Sequence, residues 1–249
     1  MNRNTWAFVI KIFWAVLAAG LGALCLSAVN YKKNMSLRGI SVQIEGPGKN
    51  TCFMRPADIE RQMLKVIGPL ANHNVGDVSC DVLEQDLSRN PFVENVDVFV
   101  SGNAKLTARI TERTPVMRVI TDSESFYLDS KGARMPVSSF YTARVHVLTG
   151  PMAANHAGDV LQLTELLRDD EFMNAFIDQL HYVSKHEIML IPKVGGARIS
   201  FGGPDRIQEK FDFIKAFYSE VVAETGWEKY SIIDVRFRNQ IICKKIPTS

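Results

Sequence analysis

The sequence predicts an α+β protein with an N-terminal transmembrane helix, a small β-α-α-β-β domain, and then a mixed α/β domain with an antiparallel-rich curved sheet and flanking helices. Three observations predict this class. One long uncharged apolar segment lies near the N-terminus, and a helix cap followed by two alternating strands lies within residues 81–116. From there to the C-terminus, short apolar runs punctuated by glycine and proline alternate with helical patterns. A length of 249 residues allows one large domain or two small ones.

The N-terminal apolar segment is long enough to cross a membrane. Residues 12–29 are eighteen residues without a charge, and residues 6–10 extend them beyond Lys11. Eighteen helical residues cover roughly 27 Å, which is close to the hydrocarbon thickness of a bilayer. A cleaved signal peptide is the alternative, but the segment is long for that role and residues 27–29 match an A-x-A cleavage site poorly. We therefore predict an uncleaved single-pass anchor over residues 6–30.

The charge pattern leaves the orientation of this anchor open. Arg3 precedes it, and Lys32, Lys33 and Arg38 follow it, so positive charge flanks both ends. The chain has 29 Lys and Arg residues against 27 Asp and Glu residues. Four of the basic residues lie in or beside the anchor, so the remainder has 25 basic and 27 acidic residues. This balance excludes the basic footprint of a nucleic-acid-binding protein.

The small domain begins with a strand and a helix. Apolar residues alternate over residues 40–44, which predicts a strand. Pro56 suits the first turn of the helix that follows, and Gly68 suits its end.

A second helix then leads into a hairpin. Asp81 and Glu84 have the spacing of a capping box, and Pro91 stops the helix. β-Branched and alternating residues predict strands over 93–100 and 105–110, joined by a Ser-Gly-Asn turn. The order of elements is therefore strand, helix, helix, strand, strand, with the two helices covering one face of the sheet.

The larger domain starts with strands and continues with helices. A hairpin with a left-handed glycine at Gly132 is predicted over residues 126–136, and a short strand over 145–148. Residues 159–169 have a helical pattern, and residues 171–180 either continue that helix or start another.

Strands return in the last third of the chain, together with one long helix. The apolar runs predict strands at 182–183, 188–191 and 197–201, a helix from 206 to 224 that ends at Gly226, and two closing strands between 232 and 243.

The cysteine, histidine and serine residues form no pattern typical of catalysis or metal binding. The four cysteines show no CxxC spacing, and either a disulfide between Cys52 and Cys80 or free thiols would fit them. No two of the five histidines have helical zinc-ligand spacing, and no G-x-S-x-G motif occurs. We therefore expect no enzyme activity, no catalytic residue, no metal, no cofactor and no small-molecule substrate.

Several short motifs in order resemble the bacterial cell-division family FtsQ, also called DivIB. The β-α-α-β-β unit itself resembles a POTRA domain. The motifs of this first part and its exit are Asn90-Pro91-Phe92-Val93, Glu112-Arg113-Thr114-Pro115-Val116 and Tyr127-Leu128-Asp129. Those of the second domain are Leu148-Thr149-Gly150, Ile199-Ser200-Phe201-Gly202, Lys210 and Ile233-Asp234-Val235-Arg236-Phe237.

The resemblance implies a bitopic inner-membrane protein at the division septum, with its N-terminus cytoplasmic and both domains periplasmic. The implied bounds are a cytoplasmic tail at 1–5, the transmembrane helix at 6–30, a tether at 31–38, a POTRA domain at 39–114 and an FtsQ-type β domain at 115–249. Such a protein is a non-enzymatic divisome scaffold that binds FtsB-type and FtsL-type partners and helps control septal peptidoglycan synthases. The alternatives are a POTRA-containing component of a secretion or outer-membrane assembly system, and a membrane-anchored cell-wall enzyme.

The resemblance also implies a partner site at the last strand, where an added strand would pair with unpaired backbone groups. The predicted partner-binding residues are Phe237, Arg238, Asn239, Gln240, Ile241, Ile242, Cys243 and Lys244. We expect Phe237, Ile241 and Cys243 to share one side of this strand. The alternative is that these side chains fill the core while another strand forms the edge. We interpret Glu112, Arg113 and Pro115 as interdomain structure.

Overall fold

The computed structural model describes residues 3–46, 52–151 and 153–247. The chain separates into two compact units. The first comprises Met1–Glu45 and Met54–Thr111, and the second comprises Gly46–Phe53 and Glu112–Ser249. The first two residues of the predicted tail and the last two of the predicted C-terminal domain lie outside the described residues.

Helix α1 (Arg3–Lys33) contains the predicted apolar segment. Within the described ranges, Phe13–Lys33 is the one helix that is long and apolar enough to cross a membrane. Large apolar side chains on it, among them Phe13, Trp14 and Leu24, are more than half exposed. An exposed apolar surface of this length is stable in lipid and unfavourable in water, so Phe13–Lys33 is a candidate membrane span.

Beyond α1, the described residues of the first unit form two further α-helices and a three-stranded sheet. The strands lie in the order β1-β3-β2, and β1 pairs parallel with β3. A parallel pair requires a crossover, and the two helices supply it. The elements are β1 (Gly39–Glu45), α2 (Pro56–Ile67), α3 (Cys80–Leu87), β2 (Val93–Val100) and β3 (Lys105–Glu112), with 3₁₀ turns at Leu70–Asn72 and Val75–Asp77.

The core of this unit lies between the helices and the sheet. Met63 of α2 and Leu83 of α3 are fully buried, and Leu106, Ala108 and Ile110 of β3 are buried in the same cluster. Pro56 occupies the first turn of α2 as expected, and Gly68 ends this helix with a positive φ of 79°.

The predicted capping box of α3 is wrong. Ser79 is the N-cap, with no side-chain cap hydrogen bond, and Asp81 lies in the first turn. The carboxylate of Glu84 instead accepts a hydrogen bond of 2.7 Å from the backbone N–H of Val98. The helix also ends at Leu87, before Pro91. Because β2 is an edge strand of its sheet, its backbone offers a donor that competes successfully for the Glu84 side chain.

The second unit is built on a mixed sheet that has nine strands in the described part of the chain. Their spatial order is β12-β11-β10-β9-β8-β7-β4-β5-β6, with five antiparallel and three parallel pairings. This confirms the predicted antiparallel-rich class. The strands are β4 (Pro115–Ile120), β5 (Ser125–Asp129), β6 (Arg134–Pro136), β7 (His146–Thr149), β8 (Ile177–Ser184), β9 (Glu187–Pro192), β10 (Arg198–Gly202), β11 (Tyr230–Asp234) and β12 (Ile242–Lys245).

Two helical segments serve as crossovers between parallel strands of this sheet. The first connects β7 to β8 and contains α4 (Ala153–His156), a 3₁₀ turn (Ala157–Val160), α5 (Leu161–Asp169) and α6 (Glu171–Phe176). The second connects β10 to β11 and contains α7 (Ile207–Ala216), a π-helical turn (Phe217–Val222) and α8 (Ala223–Thr225). The predicted long helix is therefore interrupted by the π turn, and it ends at Gly226 as expected.

The structure corrects one helix boundary. Residues 177–180 are not helical, because they form the start of β8 and pair with β7 on one side and β9 on the other. The side chain of Asp170 caps α6 by accepting from the N–H of Met173, so α6 is a separate short helix. Ile177 and Leu180 are fully buried in the sheet core. An apolar spacing of three residues is compatible with a helix, and strand pairing decides the outcome here.

Candidate functional site

The nine-stranded sheet has two edges, and they differ in length and chemistry. Strand β6 forms one edge with only three residues, and the last of them is Pro136. Proline has no N–H to donate, so this edge is a poor template for another strand. Strand β12 forms the other edge and, in the described part of the chain, pairs only with β11. The structure therefore places an open strand edge at Ile242–Lys245.

The register of the β11–β12 hairpin identifies the outward-facing backbone groups. Opposite pairs include Tyr230 with Lys245 and Ile233 with Cys243. The N–H of Ile246 donates to the Lys229 carbonyl at 3.0 Å, which makes the Tyr230–Lys245 pair a non-hydrogen-bonded one. Since backbone groups alternate along a strand, the N–H and C=O groups of Lys245 and Cys243 face away from β11.

The side chains of this strand alternate between core and solvent. Ile241 and Cys243 are half-buried and pack against the main core of the second unit. Ile242 is 48% exposed, and Phe237 and Ile246 are 42% exposed. Phe237 therefore does not share the environment of Ile241 and Cys243, contrary to expectation. The edge carries a core-facing row and an exposed apolar row.

The predicted last strand over 237–244 is wrong for its first five residues. Strand β11 ends at Asp234, β12 begins at Ile242, and residues 235–241 form the connection. Asn239 has a φ of 57°, which suits a turn and not a strand. Of the predicted partner-binding residues, Ile242, Cys243 and Lys244 lie in the edge strand. Phe237, Arg238, Asn239, Gln240 and Ile241 lie in the adjoining loop.

An ion pair at the end of β11 starts this connection. Arg236 donates from Nη2 to Asp234 Oδ2 at 2.6 Å and from Nε to Oδ1 at 2.9 Å. The backbone N–H of Arg236 also donates to Asp234 Oδ1, at 3.1 Å. Burial opposes ionisation of Asp234, but the hydrogen bonds from Arg236 outweigh it, so the pKa of Asp234 lies below its ordinary value. The N–H of Val235 still donates to the Ser200 carbonyl of β10 at 3.1 Å, so the chain leaves the sheet after Val235.

Two further residues hold Arg236 in place. Arg206 Nη2 donates to the Arg236 carbonyl at 2.9 Å. A Cβ atom at Gly202 would lie 2.9 Å from Cγ of Arg236, and Gly202 has a φ of 78°. The close approach and the left-handed backbone both require glycine at this position.

Lys210 supports the turn that precedes α7. Its side chain is 1% exposed, and Nζ donates to the Gly203 carbonyl at 2.8 Å and to Asp205 Oδ1 at 3.1 Å. The ammonium group also lies 4.6 Å from the centre of the Phe201 ring. Desolvation by burial lowers the pKa of Lys210, although Asp205 opposes this effect. The contacts define a structural role between β10 and α7.

A groove lies beside the connection that leads to β12. It has a volume of about 360 Å³ and is bounded on one side by α7 and the π turn and on the other by residues 239–241. Phe213, Phe217 and Val221 give it apolar walls, and Glu220 adds a carboxylate. The edge strand itself carries the exposed cations Lys244 and Lys245.

Each of the predicted interdomain residues has a contact with a residue of the second unit. Glu112 is 1% exposed and accepts a hydrogen bond of 2.8 Å from the N–H of Phe53. Arg113 forms an ion pair of 2.8 Å with the buried Asp129. Pro115 begins β4 opposite Asp129. Their interdomain role stays a prediction.

Sequence reasoning assigned no site role to Asp129 and Phe53, which contact Arg113 and Glu112 within the second unit. Asp129 Oδ1 accepts from the backbone N–H groups of Lys131 and Ala133 at 2.9 and 2.7 Å, so it holds the β5–β6 hairpin as well as Arg113. Phe53 is buried between Tyr127 and Tyr141, with ring centroids 5.8 and 5.0 Å away. The Asp-x-x-Gly turn was a visible signal for Asp129, but the sequence contains no local signal for Phe53.

The four cysteines are free thiols, so the structure shows the second of the two expected alternatives. Cys52, Cys80 and Cys243 are partly buried, and desolvation raises the pKa of each thiol. Across residues 3–46, 52–151 and 153–247, no group of His, Cys, Asp and Glu side chains is suited to hold a metal ion.

The fold and the edge together define a class: a membrane-anchored α+β protein whose larger sheet ends in an open strand. No curated protein matches the chain. Residues 114–244, slightly more than half of the chain, match the family described as FtsQ/DivIB, C-terminal related. The chain belongs to this family, and its role is in bacterial cell division. The matched range contains every strand of the second sheet except the last residue of β12.

Proposed function

We propose that this protein is a bitopic, non-enzymatic scaffold of the bacterial divisome that binds partner division proteins through its β12 edge. The observation that carries the proposal is the position of β12, an exposed strand at the end of the sheet. The partners are membrane division proteins of FtsB and FtsL type, and the consequence of binding is control of septal peptidoglycan synthesis. The helix α1 anchors the protein, with the N-terminus cytoplasmic and both units periplasmic.

Strand addition is the binding mode that this edge supports. Backbone groups of Cys243 and Lys245 face outward and can form a ladder with an extended segment. Ile242 and Ile246 give the segment an exposed apolar row to pack on. The opposite edge offers three residues that end in proline, so it competes poorly.

The first unit fits a POTRA domain by the order of its elements. Its β-α-α-β-β sequence and its β1-β3-β2 sheet, with β1 parallel to β3, support this assignment. We propose that it contributes to localisation at the septum, while the edge of the second unit binds partners. No observation favours a secretion or outer-membrane assembly role.

The direct test removes outward backbone donors from β12. We expect Cys243→Pro and Lys245→Pro in the detergent-solubilised full chain to weaken binding of an FtsB-type partner by roughly tenfold or more, because each removes one ladder donor. Cys243→Val is the matched control, since it changes the same side chain and keeps the N–H. Ile242→Pro, which removes an inward donor, should instead loosen the hairpin itself.

One outcome would contradict strand addition to β12. Thermal unfolding establishes first that the proline variants keep the second unit folded. If folded Cys243→Pro and Lys245→Pro then bind the partner as tightly as Cys243→Val, the β12 edge is not the site of strand addition.

A further inference from the structure

The sheet of the first unit ends in a long edge strand. Strand β2 (Val93–Val100) has eight residues, whereas the proposed partner edge β12 has four. In the described part of the chain, β2 lies at the end of the order β1-β3-β2 and pairs with β3 alone. A long edge strand rich in β-branched residues is a template for another strand, and native proteins protect such edges. By length, β2 would be the better template of the two.

The outward-facing backbone groups of β2 follow from its hydrogen bonds. Ser101, directly after the strand, donates its N–H to the Lys105 carbonyl of β3 at 2.9 Å, so its backbone faces β3. Val98 lies three residues earlier, and its N–H donates to a side chain of α3. Because backbone groups alternate between the two sides of a strand, those of Val96, Val98 and Val100 face the open edge.

A carboxylate from the neighbouring helix occupies the middle of this outward row. Glu84 Oε1 accepts from the N–H of Val98 at 2.7 Å, a length typical of a charge-assisted hydrogen bond. The side chain comes from α3, where Leu83 and Leu87 are fully buried and hold the helix in place. A strand that approached β2 would have to displace this carboxylate before it could pair with Val98.

The strand against which β2 needs protection is β2 of a second copy. Two identical strands related by a twofold axis are self-complementary, so each could satisfy the outward groups of the other. The candidate membrane span would hold the copies on one membrane surface, which raises their effective concentration. Glu94 and Asp97 are exposed on β2, and their charges would add repulsion between two such strands.

We propose that Glu84 is an edge cap that keeps β2 from pairing with β2 of a second copy. The cap occupies the N–H that the centre of a new ladder needs, and it places a negative charge at the same point. The consequence for partner choice rests on the proposed function: with β2 closed, a partner strand is directed to β12.

Amide hydrogen exchange of the full chain in detergent micelles tests the cap directly. We expect the Val98 N–H of the wild-type protein to exchange at least about tenfold more slowly than the Val96 N–H, because both face the same edge and the Glu84 carboxylate binds Val98. Glu84→Ala should remove this difference. Glu84→Gln, which keeps a carbonyl oxygen at the same position, should preserve it.

Analytical ultracentrifugation in the same micelles measures self-association. We expect Glu84→Ala to dimerise at a concentration at least about tenfold lower than wild type, because it frees the Val98 donor. Glu84→Gln is the matched control and should stay close to wild type. Adding Val96→Pro to Glu84→Ala should reverse the dimerisation, since proline at an outward position removes a ladder donor and leaves the bonds to β3 intact. Thermal unfolding establishes that the variants are folded, and alanine favours the helical conformation of α3.

Four results would overturn the proposal. The first is a wild-type Val98 amide that exchanges as fast as that of Val96. The second is a folded Glu84→Ala variant that is as monomeric as wild type. The third is equal dimerisation of Glu84→Ala and Glu84→Gln, which would assign the effect to charge alone. The fourth is a dimer that survives Val96→Pro, which would place the contact elsewhere. Neither measurement uses a partner protein, so failure of this proposal is distinguishable from failure of the β12 edge.

Discussion

Arg236 donates hydrogen bonds to the Asp234 carboxylate from two side-chain nitrogens and from its own backbone N–H, at the position where β11 ends. The contact lies at the start of the seven-residue connection that delivers the chain to β12. It therefore connects the buried end of β11 to the segment that positions the edge strand.

Removal of the guanidinium should loosen this connection. We expect Arg236→Gln to lower the free energy of unfolding by about 1–2 kcal/mol, because the largely buried Asp234 carboxylate loses its charged partner. Chemical denaturation followed by tryptophan fluorescence measures the change. Arg238→Gln is the matched control, since Arg238 is an exposed arginine two residues away. Equal stability of the two variants would contradict the assigned role of Arg236.

The same pair predicts a dependence of stability on pH. The folded-state pKa of Asp234 is depressed, so its contribution is fully present above the ordinary carboxyl pKa of 3.8 and is lost as the pH falls through the folded-state value. Asp234→Asn should therefore show a smaller loss of stability than wild type between about pH 4 and pH 2. Parallel acid-unfolding curves for the two proteins in that window would refute the assignment.

Lys210 provides a test of the turn before α7. We expect Lys210→Met to cost about 1–3 kcal/mol, because the Gly203 carbonyl loses its buried donor. Lys215→Met, on the same helix, removes a partly exposed contact to Asp170 and should cost about 1 kcal/mol or less. Thermal unfolding compares the two. A larger effect at Lys215 would show that the Lys210 contacts contribute little to stability.

Two adjacent isoleucines allow the effects on stability and on partner binding to be measured separately. Ile241 packs against the core, and Ile242 faces outward. We expect Ile241→Ser to destabilise the second unit by about 1–2 kcal/mol, and Ile242→Ser to leave stability within about 0.5 kcal/mol. For partner binding we expect the larger loss of affinity from Ile242→Ser, because Ile242 belongs to the exposed row. Calorimetry with an FtsB-type partner checks this, and full affinity of the Ile242→Ser variant would remove the row from the interface.

Local patterns predicted most of the fold, whereas long-range contacts account for the errors. The strand at residues 40–44 and the left-handed turn at Gly132 follow from alternation and turn chemistry, and both are present. The Glu84 carboxylate accepts from the N–H of Val98, fourteen residues away, so capping-box spacing alone predicted the wrong role for Glu84. Residues 177–180 have an apolar spacing that fits a helix, and only their pairing with two strands makes them β8.

The candidate site was likewise predicted in part, and the rest of it depends on long-range contacts. The family resemblance implied an edge strand near the C-terminus, and β12 is at the edge of the sheet. It could not reveal that residues 236–241, which begin at the Asp234–Arg236 contact, lie outside the strands. The contacts of Thr149 with Gln179 and His181 were also beyond sequence reasoning, because these residues come together only through strand pairing.

The most direct test of the central claim is site-specific photo-crosslinking in dividing cells. A photoreactive residue at Ile242, on the open edge, should capture the FtsB-type partner, identified by mass spectrometry. The same residue at Arg134, an exposed position on the opposite edge strand, should not capture it. Capture of that partner at Arg134 and not at Ile242 would contradict binding by strand addition to β12.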